Sequence, residues 1–466
     1  MTPRKGKQFR TSEAFESAAA FTLQHPHAAG IDVHSDVHFV AVWPSAVPAD
    51  WVNPQPQLPP GVRKFGANTG DLEALAAWLK ACQIQTVAME ATGVYWIPLF
   101  ELLEQQGFEV LLVDPRQTKH APGRPKSDVL DCQWILRLHR CGLLTGSFRP
   151  ADDVVAWRGF QRQRAMLLRY AGQHMQKALE QMNVKLTEVV ADITGLTGMK
   201  IIKDILRGVR DPLRLAKQRD ERCKATEAQI AAALYGNWRK EHLFELKQAV
   251  AMYEFYQKQI RACDAEIETC LRGFADRSAG APLPAKAQPS RRKKNEPTFA
   301  VRDLLFRLAG VDLTVIEGIS EQTALVLLSE LGVDLSAFPS EKHFVSWLGL
   351  CPQHRSSNRR ILSRRVRKGA NRAARALRMA AQGCHHAKNA LGAFYRRIQA
   401  RCGGPKAVVA TARKIAERVY RLLRYGEAYL RQTQAAYEAQ YQQRTLAGIA
   451  RKAAALGYQL VPTAPA

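Results

Sequence analysis

Four apolar runs of strand length, the first two joined by a short polar turn and the later ones set apart by amphipathic stretches of helix length, shape residues 28–114. "AAGIDVHSDVHFVAVW", residues 28–43, holds two of these runs around a polar turn at His34–Asp36, the pattern of a hairpin. "DLEALAAWLKAC" follows as an amphipathic helix, and "IQTVAME" as a short buried strand ending at Glu90. "YWIPLFELLEQQG" reads as a helix stopped by Gly107, and "FEVLLVD" as a further buried strand. The basic, proline-containing "PRQTKHAPGRPK" leads into "SDVLDCQWILRLHRCG", a helix capped by Ser127 and closed by Gly142. Strands alternating with helices require a sheet covered by helices, so residues 28–150 are expected to form an α/β domain.

The pattern then changes. Residues 151–275 contain two long helical stretches of mixed charge, which usually pack in pairs or as a coiled coil. Residues 276–297 are rich in Pro, Ala and basic residues and read as a linker. Residues 298–445 read as helical again, with "VIEGISEQTALVLLSELG" as a helix-turn-helix hairpin turning at Gly318. A basic arm at 1–27 and an Ala-rich tail at 446–466 complete the plan. The expected fold class is therefore α/β plus all-α.

The 466-residue chain carries 68 Lys+Arg against 42 Asp+Glu, a formal net charge of +26. So large a surplus of basic groups favours a polyanionic partner, since each one near a phosphate releases condensed counterions. The nine cysteines are odd in number, scattered and without a C-x-x-C pair. That argues against a disulfide framework or a zinc finger and for a reducing compartment, the cytoplasm or nucleoid. No apolar run is long enough to span a bilayer, and Glu13 and Glu16 interrupt any signal-peptide core, so no membrane partner is expected.

Four carboxylates stand out. Asp32 lies between Ile31 and Val33 in a strand pattern and so faces the opposite side of the sheet. Glu90 ends a buried run, where strand ends open onto ligand crevices. Asp128 and Asp131 are three apart on one helix and share a face. Asp131, Trp134, Ile135 and Leu138 follow helical spacing, which places Asp131 on the stripe expected to be buried. A buried carboxylate needs a cation or donors. Singly, each acid has an ordinary structural role open to it. Together, four acids from two strands and a helix suit Mg²⁺ or Mn²⁺, hard ions that take oxygen ligands and keep waters for substrate phosphates. Asp36, in the turn, and Asp114, before Pro115, are read as turn residues.

A second constellation is "CPQHRSSNRRILSRRVRKGANR", residues 351–372, where Ser356 and Ser357 stand in a dense basic run. Arg355, Arg359, Arg360, Arg364, Arg365, Arg367 and Lys368 are its cations, expected to hold backbone phosphates rather than to read bases. By composition alone this is a basic surface loop.

The stretches "GIDVHSDVHFVAV", "AMEATGVYW", "GRPKSDVLDCQWILRLHRCGLL" and "FVSWLGLCPQHRSSNRRILSRRVRKGANRAARALRMAA" resemble the DEDD-motif transposases of insertion sequences. The resemblance covers about residues 28–150 and 300–430; its specific parts are the K-[ST]-D-x-x-D helix and the G-L-x-P segment. It implies a RuvC-like domain of the RNase H fold, a helical domain bearing a catalytic serine, and bridge-RNA-guided DNA recombination. The acidic tetrad then falls on Asp32, Glu90, Asp128 and Asp131, and the serine on Ser357, with Ser356 in reserve. The chain departs from the family by placing Asn358 and Arg359, rather than small residues, after the serine. The resemblance further implies divalent-metal assistance, a phosphoserine intermediate, a structured guide RNA and a homo-oligomer of two or four chains held by the long middle helices. Two other readings of the same residues are a RuvC-like endonuclease using water as nucleophile and a non-catalytic nucleic-acid-binding protein.

Overall fold

The computed structural model describes residues 23–461 apart from 53, 119–126, 171–172, 286–294, 354, 358–359, 364, 368 and 370. Arg359, Arg364, Lys368, Asn358, most of the expected basic arm and the stretch 286–294 of the expected linker therefore lie outside the described residues. The chain divides into two compact units, Met1–Arg149 and Pro150–Ala466.

The first unit is built on a five-stranded mixed sheet. Its strands are β1 (Ala28–Val33), β2 (Val37–Val42), β3 (Val62–Gly66), β4 (Thr86–Glu90) and β5 (Glu109–Val113), in the order β3-β2-β1-β4-β5. β1 pairs antiparallel with β2, as the tight polar turn dictates, and parallel with β4, with Ile31 opposite Met89. β4 runs parallel to β5. Four strands and their helices match the sequence pattern. The edge strand β3 was not expected: in "VRKFG" only Val62 and Phe65 are apolar and buried, too short a signal to show a period.

Helices α1 (Thr69–Ala81) and α2 (Trp96–Gln105) cover one face of the sheet. Ile31, Val33, Val40 and Met89 pack there against Leu75, Trp78, Leu79, Leu99 and Leu103. The short α3 (Pro115–Thr118) follows β5; Asp114 accepts a hydrogen bond from the Arg116 backbone N–H at 3.0 Å, which accounts for that acid as a turn residue. The opposite face is covered by α4 (Asp128–Arg140), through Cys132, Leu136 and Ile135. Ser127 caps α4 by accepting from the Leu130 N–H, and Gly142, at φ +66°, closes it.

Contact between α4 and β1 is backbone to backbone. A Cβ on Gly30 would stand 2.3 Å from the Leu136 nitrogen and 2.6 Å from the Cys132 oxygen, so only glycine admits this approach. Gly30 and Asp32 share a face of β1. The close approach therefore brings the first turn of α4 to Asp32.

The second unit is mostly helical. Helix α5 (Asp152–Tyr170) packs against α11 (Lys240–Gly273), and Arg164 and Asp264 form an ion pair between them, 1% and 2% exposed. Five short helices, α6 (Gln173–Gln181), α7 (Leu186–Val189), α8 (Leu196–Leu206), α9 (Pro212–Ala216) and α10 (Glu227–Ala233), share a core with the start of α11. Then come α12 (Val301–Ala309), α13 (Glu321–Leu331), α14 (Glu341–Trp347), α15 (Arg372–Gly383), α16 (Ala390–Cys402) and α17 (Gly404–Ala455), the last kinked at Gly426. The turn at Gly318 is present at φ +87°, but the helix before it is α12, earlier in the chain than expected. Between them Leu313–Val315 forms one 3₁₀ turn, begun by the Asp312 side chain accepting from the Thr314 N–H.

The expectation of helix throughout this region is corrected at one place. β6 (Arg355–Ser357) and β7 (Arg360–Ser363) form an antiparallel hairpin, with Ser357 opposite Arg360. The segment has only Ile361 and Leu362 as apolar residues, too few for a helical stripe to bury. A Pro352–Val366 bridge and a bond from the Gln353 N–H to the Arg365 carbonyl, 2.9 Å, extend the ladder. All nine cysteines are free thiols, and no helix among the described residues is long and apolar enough to cross a membrane.

Candidate active site

Asp32 is 8% exposed near the end of β1, on the face covered by α4. The turn that follows bends His34 back over it. The His34 N–H donates to the Val37 carbonyl at 3.2 Å, and its ring stands edge-on to Phe39 at 6.4 Å. His34 Nε2 thereby lies 3.1 Å from Asp32 Oδ2 and 3.6 Å from Asp128 Oδ1, the latter from the first turn of α4. One donor atom from each of Asp32, His34 and Asp128 falls within 4.8 Å of the others.

Glu90 and Asp131 belong to the same electrostatic neighbourhood. Burial pushes the Asp32 carboxyl above its ordinary value, the charge and hydrogen bond of His34 oppose this, and the negative charges of Glu90 and Asp131 raise it further. Glu90, at the end of β4, accepts from the Thr118 hydroxyl at 3.0 Å. The Thr118 carbonyl in turn accepts from Trp134 Nε1 on α4 at 3.0 Å, so the short α3 braces Glu90 and α4 together. Nearby Cys132 is held neutral, its thiol pushed up to about 12 chiefly by burial and then by the charge of Asp32. A sulfur nucleophile is thus disfavoured at this site.

Two details differ from the sequence reading. Asp131 is half-buried rather than buried, because the stripe facing the sheet is Cys132, Ile135, Leu136 and His139, one residue further along α4. The spacing was right and its phase was off by one position. The second is His34, which stood only as a polar turn residue. Its signal was in the strand alternation, since residues 32 and 34 share a face when the strand runs on.

The donor set fits a hard divalent ion. A buried carboxylate crowded by two further carboxylates is unfavourable without positive charge, and oxygen donors with one accessible imidazole supply a cation's ligands. Asp128 is exposed and Glu90 and Asp131 are half-buried, leaving the cluster open to solvent and substrate.

Ser357 lies in the second unit. It is exposed and ends β6, one residue before the two-residue connection to β7. Ser356 pairs with Ile361, and Arg355 with Ser363 across an irregular step in the ladder. Arg355 and Arg360 lie on the two strands; the side chains of Arg365 and Arg367, just beyond, are exposed.

A carboxylate cluster at the strand ends of a mixed sheet, followed by a mostly helical unit, defines the class of chain. Comparison with known proteins narrows it. A family model described as "Transposase", of the DEDD IS110 type, matches residues 29–184, and the Transposase IS116/IS110/IS902 family matches residues 312–396. A curated relative, the "Insertion element IS110 uncharacterized 43.6 kDa protein" of Streptomyces coelicolor, is 34% identical over 119 residues. That match takes in 25% of this chain and spans 29% of the length of the relative. The chain belongs to the IS110 family of insertion-sequence transposases.

Proposed function

We propose that the protein is a DNA transposase of an insertion sequence, with Asp32, Glu90, Asp128 and Asp131 as the metal-holding acids of a RuvC-like domain and Ser357 as the nucleophile. The observation that carries this reading is the convergence of Asp32, His34 and Asp128 at one point, with Glu90 and Asp131 close enough to act on Asp32. The strand order supports the RNase H fold as well: an antiparallel meander, β1 to β3, is continued by the parallel strands β4 and β5. Around these residues the chain would divide into a basic arm at 1–27, the RuvC-like domain at 28–150, a helical coiled-coil region at 151–275, a linker at 276–297, the helical serine-bearing domain at 298–445 and a tail at 446–466.

Serine hydroxyls are weak nucleophiles that must be activated and aimed. At the end of β6, the exposed Ser357 is presented to a large substrate, and the basic residues of the hairpin would seat backbone phosphates. In the proposed step a bond forms between Ser357 Oγ and phosphorus as the strand's own ester bond breaks, releasing a strand hydroxyl. Attack by a hydroxyl of another strand then reverses the step, re-forming a diester and freeing the serine. A divalent ion, Mg²⁺ or Mn²⁺, held by the four carboxylates would supply Lewis-acid charge for phosphodiester chemistry. A structured guide RNA would select the sequence, and a homo-oligomer would complete the assembly; both rest on the family resemblance.

The test is a covalent one. Incubation with element-end DNA, guide RNA and Mg²⁺ should give a denaturant-resistant protein–DNA adduct mapping to Ser357. Adduct that persists in Ser357→Ala and vanishes in Ser356→Ala would move the role to the neighbour. Cleavage that survives in both variants, with free ends and no adduct, would replace the proposal with a water-using nuclease.

A further inference from the structure

We propose that His34 is a nitrogen ligand of the acidic centre and makes that centre select Mn²⁺ over Mg²⁺. The inference rests on the reading of the carboxylates as a divalent-metal site and goes beyond it to the identity of the ion.

Three observations carry it. First, a single atom, His34 Nε2, faces carboxylates from two separate elements, at 3.1 Å to Asp32 and 3.6 Å to Asp128. A histidine kept only to tie the turn would need one of these. Second, the ring is positioned rather than loose. The backbone hydrogen bond to Val37 sets the turn, and Phe39, opposite Asp32 across the β1–β2 ladder, stands against the imidazole. Third, the His34 side chain is 38% exposed and that of Asp128 51%, so an ion with part of its water shell can reach the donors.

The chemistry then discriminates. Mg²⁺ demands oxygen donors in near-ideal octahedral geometry and parts with water reluctantly. Imidazole nitrogen is a borderline donor that suits first-row transition ions, least of all Mn²⁺ within that series, and Mg²⁺, a hard ion outside it, gains less still. A centre of four oxygens would treat the two ions nearly alike, whereas adding a nitrogen strengthens Mn²⁺ more than Mg²⁺. Of the five residues, His34 alone contributes that difference.

The alternative role for the same geometry is a stand-in cation, an imidazolium neutralising two aspartates until an ion displaces it. The two roles predict opposite effects of removing the ring. Mn²⁺ and Mg²⁺ binding to the full-length chain would be measured by calorimetry, together with nitrogen modulation of the electron spin echo of bound Mn²⁺. Wild type should bind Mn²⁺ roughly tenfold or more tightly than Mg²⁺ and show an imidazole nitrogen signal. His34→Ala, and the gentler His34→Asn, should lose that signal and bring the two affinities together mainly by weakening Mn²⁺. A rise in affinity for both ions alike in these variants, or a nitrogen signal that survives them, overturns the inference while leaving the metal site standing. Equal Mn²⁺ binding by wild type and the double variant Asp32→Asn, Asp128→Asn would overturn both, because the two carboxylates that face His34 would then not be ligands. Thermal melts of each variant without metal separate these outcomes from misfolding.

Discussion

The carboxylate cluster and the serine hairpin are built in opposite ways. The acids stand on β1, β4 and the first turn of α4, and each element is fixed by something besides the acid itself. Gly30 lets α4 touch β1, and Thr118 ties Glu90 towards Trp134. The hairpin has two short strands, an irregular ladder and an exposed Ser357 at its tip. A site that must hold an ion needs rigid donors. A group that must meet a long polyanion needs reach. Under the proposed roles, the first region is preorganised and the second takes its final form on the substrate.

The largest expected effect tests whether the two regions do separable work. Asp32→Asn or Asp128→Asn should lower strand cleavage by roughly 100- to 1000-fold or more, on the scale of losing one electrostatic contributor in an active site. Both should also weaken divalent-ion binding. Ser357→Ala should abolish the adduct yet bind ions like wild type, as read by calorimetry. If Ser357→Ala also lost ion binding, the division between a metal region and a nucleophile region would collapse.

Next comes the docking of α4. Gly30→Ala must push the helix off β1, since the atoms met are backbone. Overpacking of this kind costs about 1–3 kcal/mol. Urea unfolding should show that loss, and ion affinity should fall with it although no ligand is altered. Retained affinity would show that the acids do not depend on the helix seat.

The far end of α4 offers a pH test of about 2 kcal/mol. His139 is 2% exposed, with Nε2 2.9 Å from the Thr86 hydroxyl and its ring stacked on His25. Burial, with a smaller contribution from the charge of His25, lowers its pKa to about 4. A base whose pKa is depressed by folding favours the native state least when protons are abundant. Its penalty is absent above the ordinary value near 6.5 and grows as pH falls towards 4. At pH 5 the arithmetic gives about 2 kcal/mol. His139→Leu should remove that slope, so the stability gap between variant and wild type should narrow from pH 7 to pH 5. Using the difference cancels Asp32, whose raised pKa works in the opposite direction, with native stability lost as pH rises through it.

Part of this architecture is legible in the amino-acid sequence. The buried strands and α1, α2 and α4 were legible because apolar periodicity decides them. The phase of α4 was not: a stripe one residue away fits the same spacing, and only Gly30 against Leu136 fixes the choice. β3 escaped because an edge strand buries little. His34 escaped because a strand pattern ended one residue before it, while the chemistry ran on through the turn. The hairpin escaped because its residues are chosen for charge, and charge carries no period. Local patterns thus revealed the scaffold, while contacts across the sequence determined how the candidate site was assembled.

The smallest expected effect bears on the hairpin itself. Arg365 is exposed, and its backbone is tied twice, donating to Ser363 Oγ at 3.2 Å and accepting from Gln353. Its side chain can therefore be removed with little harm to the ladder. If the basic run seats phosphates, Arg365→Ala should weaken DNA binding by about the same factor on any sequence and lower the salt slope of log K by about 1. If it reads bases, the loss should depend on sequence and the slope should hardly change. If it does neither, wild-type affinity at every salt concentration would show that this part of the hairpin makes no contact with DNA. The first result would fit a protein whose sequence choice is made elsewhere, by a guide strand, with the hairpin bringing Ser357 to whatever backbone is presented.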